Sequence, residues 1–116
     1  MSVTFRNGHA LAMRPGMRAD WAAALSGFDS TAYVNELGLD ARAHRIDEIE
    51  DALASAGLRT ITWYGVRVFT DAAVVDTPPP DPETLALLFD AEELAGATDP
   101  YRWVGSQLHV IAESNT

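Results

Sequence analysis

The fold of this chain is decided by the stretch Thr62-Trp63-Tyr64-Gly65-Val66-Arg67-Val68-Phe69-Thr70-Asp71. With the four residues before it, this stretch predicts one long strand over residues 58–69. Both faces of that strand carry large apolar or β-branched side chains, which is typical of a strand inside a sheet covered on both sides. The lone glycine, Gly65, indicates either a β-bulge or a close approach of another backbone.

The segments around this strand predict an α/β layer. Residues 43–56 are the clearest helix, because Ile46, Ile49 and Leu53 recur at helical spacing, and Gly57 follows as a stop. Short strands are expected at residues 2–6 and 107–112, where β-forming residues concentrate. The remaining expectations are helical segments at 9–13, 17–25 and 82–95, and a loop or single turn at 31–34.

Two of these helical segments carry more specific expectations. The motif Pro15-Gly16 is expected to separate the segments 9–13 and 17–25. In the segment 82–95, Asp81 is the expected N-cap and Pro82 the first helical residue. Its predicted buried side chains are Leu85, Leu88, Phe89 and Leu94.

Composition narrows the class of protein. The chain has 116 residues, enough for one domain over residues 1–116, and a formal net charge of −9, and all 8 of its basic residues are arginines. An acidic chain without a basic run repels phosphate backbones, so direct binding of nucleic acid by this chain is disfavoured. There is no cysteine, no histidine pair at metal-ligand spacing, and no apolar run near the roughly 20 residues that span a bilayer. We therefore expect a cytoplasmic protein without a bound metal or a membrane partner.

Three arginines are candidates for binding an anion, each with a structural alternative. Arg67 could bind a substrate carboxylate or phosphate through its planar guanidinium, or could pair with Asp71 or an acidic helix. Arg14 and Arg18 flank Pro15-Gly16 and could clamp an anion, although solvated loop arginines are commoner.

The last predicted strand adds His109, which is either a general base or, more commonly, a hydrogen-bonded structural histidine. The sequence contains no glycine-rich phosphate loop and no nucleophile elbow, so no catalytic residue is assigned. The candidate substrate-binding residues are Arg14, Arg18, Tyr64, Arg67 and His109.

Three segments together resemble a known family. They are residues 2–14 (SVTFRNGHALAMR), residues 65–71 (GVRVFTD) and residues 99–110 (DPYRWVGSQLHV). In this order and spacing they resemble the C-terminal half of class I S-adenosylmethionine-dependent methyltransferases. The nearest subgroup contains the bacterial tRNA wobble-uridine (5-carboxymethoxyuridine) carboxyl methyltransferase, and the lysine-free, alanine- and arginine-rich composition is similar to actinobacterial versions.

The resemblance implies the C-terminal part of a Rossmann-like fold. Residues 2–6, 58–69 and 107–112 would be the fifth, sixth and seventh strands. They would form a mixed three-stranded sheet in the order 5-7-6, with strand 7 antiparallel and helices on its flanks. Residues 8–40 would be an insertion on the substrate side.

The resemblance also implies a function, the substrate-side portion of a methyltransferase. The family holds S-adenosylmethionine in its N-terminal half, on a glycine-rich loop after strand 1 and an acidic residue ending strand 2. No position here matches either element, and the chain begins inside its first strand, so we expect the cofactor-binding half to be missing. The chain alone is then expected to bind no cofactor and to be inactive.

The alternative is a standalone, non-catalytic interaction module derived from the same fold. It would self-associate or pair with another chain, such as a missing N-terminal half. The expected contact is the outer edge of the strand 2–6, where the backbone groups of Val3 and Phe5 would face outward as a template for another strand.

Overall fold

The computed structural model describes residues 1–35, 37–71 and 78–115. The elements are β1 (Ser2–Arg6), α1 (Met13–Met17), α2 (Trp21–Asp29), β2 (Ala32–Val34), β3 (Asp40–Arg42), α3 (Ile46–Ser55), β4 (Leu58–Val66), α4 (Pro82–Ala97), a 3₁₀ helix (Tyr101–Val104) and β5 (Gln107–Ser114). The α/β class predicted from the sequence is confirmed. A proline-rich loop is predicted over residues 72–82, and its residues 72–77 lie outside the described residues.

The main sheet has the strand order β1-β5-β4. The central strand β5 runs antiparallel to both neighbours. The sheet was expected to be mixed. Every pairing between its described strands is antiparallel, because β1 and β4 both pair with β5, which runs in the opposite direction to each of them. A second sheet joins β2 to β3, so the loop predicted at 31–34 is wrong: β2 gains a hydrogen-bonded partner only when residues 40–42 fold back onto it.

The strand β4 is shorter and less enclosed than its sequence indicates. It ends at Val66, because Arg67 adopts a left-handed backbone with φ of 57° and turns the chain away. Within the described residues β4 has a strand partner on one side only. Its other edge is closed by the guanidinium Nη1 of Arg102, which donates to the carbonyl of Trp63 at 3.1 Å, and by α4.

Gly65 marks the close backbone approach that was one of its two predicted roles. A Cβ atom at this position would lie 2.8 Å from the Cα of Arg102, and the Arg102 carbonyl oxygen is closer still. The register shift in β4 occurs elsewhere, between Thr60 and Thr62. The bulge and the close approach are therefore separate features of one strand.

The core lies on one face of the sheet. Helix α3 buries Ile46 and Leu53 against Trp63, Leu108 and Val110. The predicted helix 43–56 is thus present at Ile46–Ser55, with the expected apolar positions inward. The expectation that β4 is covered on both faces is wrong, because the opposite face of the sheet presents exposed Thr4 and Tyr64 beside a half-buried His109.

The N-terminal helices differ from their predicted limits. Helix α1 runs through Pro15-Gly16, because a proline in the first turn of a helix lacks only an N–H that would be unsatisfied there anyway. Helix α2 begins after Asp20, whose carboxylate accepts from the N–H of Ala23 at 3.2 Å. It continues through Gly27, where a Cβ atom would lie 2.7 Å from the backbone nitrogen of Ala12.

Helix α4 begins as predicted but buries a different face. Asp81 caps it by accepting from the N–H of Thr84 at 2.8 Å. Phe89 and Leu94, both predicted to be buried, are 61% and 69% exposed. The helix instead buries the small residues Ala95 and Gly96 against the edge of β4, and this contact points the larger side chains outward.

The outer edge of β1 also differs from expectation. Met1 accepts from the N–H of Ala112 at 2.9 Å and Asn7 donates to the carbonyl of Ser106 at 3.0 Å, so the odd-numbered residues point their backbone groups toward β5. Val3 and Phe5 therefore do not form the open edge. The outward backbone groups belong to even-numbered residues, of which Arg6 already accepts from the N–H of His44 at 3.0 Å.

His9 caps helix α3 in a pH-sensitive way. Its Nε2 accepts from the N–H of Ile46 at 3.0 Å, and burial, followed by the charge of Arg45, lowers the pKa of His9. Because the folded pKa lies below the unfolded one, this stabilisation is complete above about pH 6.5 and is lost as the pH falls through the folded pKa.

We expect acidification from pH 7.5 to 5.5 to lower the free energy of unfolding more in the wild type than in His9→Gln, by about 1 kcal/mol, the net value of one hydrogen bond. Glutamine can accept the same bond and does not titrate. Urea unfolding at both pH values measures the difference, and equal losses in the two proteins would contradict the role of His9 as a titrating cap.

Candidate functional site: an arginine cluster around Asp71

Three arginines converge on one carboxylate beyond the C-terminal end of β4. Arg14 forms a fork on Asp71, with Nε–Oδ2 and Nη2–Oδ1 distances of 2.8 and 2.7 Å. Arg6 and Arg67 each place an Nη1 atom 3.9 Å from an oxygen of the same carboxylate. Three guanidinium groups against one carboxylate leave a formal charge of +2, in a chain whose net charge is −9. We name these four residues the arginine cluster.

The turn after β4 brings the cluster together. The left-handed backbone of Arg67 ends the strand and folds residues 68–71 back toward β1. Glu92 of α4 holds this turn by accepting from the N–H of Phe69 at 2.6 Å and from the hydroxyl of Thr70 at 3.3 Å. Asp71 is thereby fixed beside the end of β1, where Arg6 lies.

The cluster is electrostatically unbalanced toward positive charge. Burial alone would raise the pKa of Asp71, but the hydrogen bonds and charge of Arg14, with help from Ser106 and Arg6, hold it below its usual value. Burial, and then the like charge of Arg14, lowers the pKa of Arg6. The Nε of Arg6 is buried and makes no hydrogen bond within the described residues. An added anion beside the cluster would offset its excess positive charge.

A cavity of about 590 Å³ opens beside the cluster. Arg6, Arg14 and Arg18 line it, together with Asp20 and Tyr33, and the guanidinium of Arg6 stands 5.7 Å from the centre of the Tyr33 ring. Apart from Arg6, the lining comes from residues 11–34, which lie within the predicted insertion at 8–40. The arrangement presents guanidinium groups and one aromatic ring to a space large enough for a small ligand.

The structure divides the predicted site residues into two groups. Arg14, Arg18 and Arg67 lie in or beside the arginine cluster. Tyr64 and His109 lie apart from it, as direct cross-strand neighbours on the open face of the sheet, with their ring centroids 6.5 Å apart. Neither residue lines the cavity beside the cluster.

The structure bears on the structural alternatives given for Arg67 and Arg14. Arg67 was expected inside a strand; it follows the strand instead, with its side chain 54% exposed and within ion-pair distance of Asp71. Arg14 is not a solvated loop arginine, because it lies in α1 and is held by the same carboxylate. The ring of His109 makes no hydrogen bond in the part of the chain that the structure describes.

Sequence reasoning missed Arg6 and Tyr33. Arg6 has no motif around it that marks a binding residue, and its position beside Asp71 depends on β1 pairing with β5. Tyr33 lies in the strand that was predicted as a loop. Of the cluster residues that were not named as site residues, only Asp71 had a signal in the sequence. It is the last residue of the segment GVRVFTD and was considered as an ion-pair partner of Arg67.

Other kinds of site are not found among the described residues. No three histidine, aspartate or glutamate side chains within 1–35, 37–71 and 78–115 are grouped as metal ligands. None of the described helices has both the length and the apolar character needed to cross a bilayer. No protein-family model matches the chain, and no curated protein is significantly similar to it.

Proposed function

We propose that this chain is the substrate-side, C-terminal portion of a class I S-adenosylmethionine-dependent methyltransferase, and that the arginine cluster binds an anionic group of the methyl acceptor. The observation that carries the proposal is the formal charge of +2 beside a cavity of about 590 Å³ in an acidic chain. Guanidinium groups match carboxylates and phosphates in shape and charge. We also propose that the protein is cytoplasmic.

The resemblance and the fold support this proposal independently. Two of the three segments that resemble the family contain the cluster: residues 2–14 contribute Arg6 and Arg14, and residues 65–71 contribute Arg67 and Asp71. The order β1-β5-β4, with β5 antiparallel to both neighbours, is compatible with strands five, seven and six of a methyltransferase sheet.

The methyl donor would be held by residues outside this chain. No residue here matches the glycine-rich loop or the acidic residue that hold S-adenosylmethionine in the family. The role left for the described residues is to bind the acceptor and orient it. We therefore expect calorimetry to show no binding of S-adenosylmethionine by this chain alone. Micromolar binding would contradict the proposal that residues outside this chain hold the methyl donor.

The acceptor site is tested by titrating the chain with inorganic phosphate and with 5-carboxymethoxyuridine, the acceptor nucleoside of the subgroup it resembles. Arg67→Gln removes one charge at an exposed position, so we expect affinity for both anions to fall about five- to tenfold. The methyl ester of the nucleoside, which lacks the charge, should bind more weakly than the acid.

The matched control is Arg42→Gln. Arg42 is 65% exposed and pairs with Glu48 at 3.6 Å, outside the cluster. The same loss of charge there should leave anion binding unchanged. Equal weakening by the two variants would attribute binding to overall charge and overturn the acceptor site.

A second candidate function, an interaction module, is favoured by helix α2. Trp21, Leu25 and Phe28 lie at helical spacing and are 67%, 69% and 74% exposed, which makes an apolar face of the kind that marks interfaces. Such a module would self-associate or pair with an N-terminal methyltransferase half. Sedimentation velocity should then show a dimer that Leu25→Gln converts to a monomer while Leu87→Gln does not; a wild-type monomer would exclude self-association.

A further inference from the structure

A second cavity shares Arg6 and Arg14 with the one lined by Tyr33 and is otherwise lined by different residues. It has a volume of about 210 Å³. One end is polar and is made by Arg6, Arg14 and Asp71. The walls are apolar and come mainly from Met13, Met17, Val68, Phe69 and Tyr101. It is therefore a pocket with a charged end and a hydrophobic body.

A groove along α4 adjoins this pocket. The groove has a volume of about 430 Å³ and shares the lining residues Phe69 and Tyr101 with the pocket. Its other lining residues include Ala91 and Leu94. Phe69, Tyr101 and Leu94 are 58%, 51% and 69% exposed. Together they form an exposed apolar surface of the kind that marks a binding site.

The charges at the polar end favour a single negative group. The carboxylate of Asp71 is occupied by the fork of Arg14, at 2.8 and 2.7 Å. Arg6 is nearly enclosed, with a side chain 12% exposed, yet its contact with Asp71 is a distant 3.9 Å. Its buried Nε makes no hydrogen bond within the described residues. Because Arg6 lines the pocket, a ligand carboxylate could give its guanidinium a closer partner than Asp71.

From this arrangement we propose that the pocket and groove bind a medium-chain aliphatic carboxylate. Its head group pairs with Arg6 at the arginine cluster. Its alkyl chain passes between Phe69 and Tyr101 and ends near Leu94. The volume suits this class, since an apolar cavity of about 150 Å³ holds one benzene molecule and the pocket and groove are each larger. The proposal does not depend on methyl transfer.

The first test is a titration of the chain with acetate, butanoate, hexanoate and octanoate, followed by calorimetry or amide chemical shifts. Each methylene that enters an apolar groove contributes up to about 0.8 kcal/mol, so the dissociation constant should fall about two- to fourfold per added methylene. Octan-1-ol, which has the chain without the charge, should bind at least about tenfold more weakly than octanoate. A dissociation constant independent of chain length, or equal binding of the alcohol, would overturn the proposal.

The groove is tested with Leu94→Ala against a matched control, Leu87→Ala. Both residues are exposed on α4, at 69% and 67%, but Leu87 lines neither cavity. We expect Leu94→Ala to weaken octanoate several-fold while leaving butanoate unchanged, because only the longer chain reaches this residue. Equal effects of the two variants would show that the chain does not lie in the groove.

The charged end is tested at Met17, which lines the pocket and is 70% exposed, so substitution there should not disturb the core. Met17→Glu should weaken octanoate about tenfold more than Met17→Gln, because it adds a like charge near the head group. Similar affinities for the two variants would place the head group elsewhere. Leu94 lines the groove and not the cavity with Tyr33, so Leu94→Ala should leave phosphate binding unchanged, and this separates the proposal from the acceptor site.

Discussion

Gly65→Ala is expected to destabilise the fold by about 3 kcal/mol or more, the upper range for forcing extra volume into a packed site. The new methyl group would lie 2.8 Å from the Cα of Arg102 and closer still to its carbonyl oxygen. These are backbone atoms of the 3₁₀ helix, so no side chain can rotate away. On the other side, the carbonyl of Gly65 touches Gly96 of α4. The alanine therefore forces β4 away from the 3₁₀ helix, and the carbonyl contact with α4 must move with the strand.

The control for this change is Gly16→Ala in α1. A Cβ atom there would meet only the Cβ of Ala24, at an ordinary 3.8 Å. Because alanine favours helix over glycine, we expect no loss of stability and a gain of up to about 1 kcal/mol. Urea unfolding measures both variants. If their midpoints were the same, the close packing of the 3₁₀ helix on β4 would be contradicted.

Gly65 shows which features of this fold could be predicted from the sequence and which could not. A lone glycine in a strand indicates a bulge or a close approach, and only the packing of Arg102 and Gly96 decides between them. That contact also decides which face of α4 is buried. The helix and its Asp81 cap follow from local chemistry, but the exposure of Phe89 and Leu94 depends on a partner that is distant in sequence.

The sequence indicated individual residues of the candidate site, but it did not indicate that these residues lie together. Arg14, Arg67 and Asp71 each carry a chemistry that the sequence displays. Their convergence requires the turn that Arg67 makes after β4 and the pairing of β1 with β5, neither of which has a local signal. Arg6 was overlooked for this reason. Tyr64 and His109 are neighbours for a similar reason, since only the register of β4 on β5 places their rings on one face.

Asn7→Ala is expected to destabilise the protein by about 3 kcal/mol or more, because it leaves one buried and two part-buried backbone groups without partners, at about 1–3 kcal/mol for a buried one. Asn7 is 1% exposed. Its Nδ2 donates to the carbonyls of Trp103 and Gly105, both at 2.8 Å, and its Oδ1 accepts from the N–H of His9 at 2.9 Å. One side chain thus joins the end of β1 to the segment that leads into β5.

Asn35→Ala is the matched control for that loss. The Oδ1 of Asn35 also accepts two backbone N–H groups, from Leu37 and Leu39 at 3.0 Å each, but these bonds are exposed. Water can replace the lost acceptor there, so we expect a change below about 1 kcal/mol. Urea unfolding followed by tryptophan fluorescence measures both variants, since Trp63 and Trp103 pack in the core. Equal losses would mean that burial does not set the cost at Asn7, and that β1 is held to β5 by its strand pairing alone.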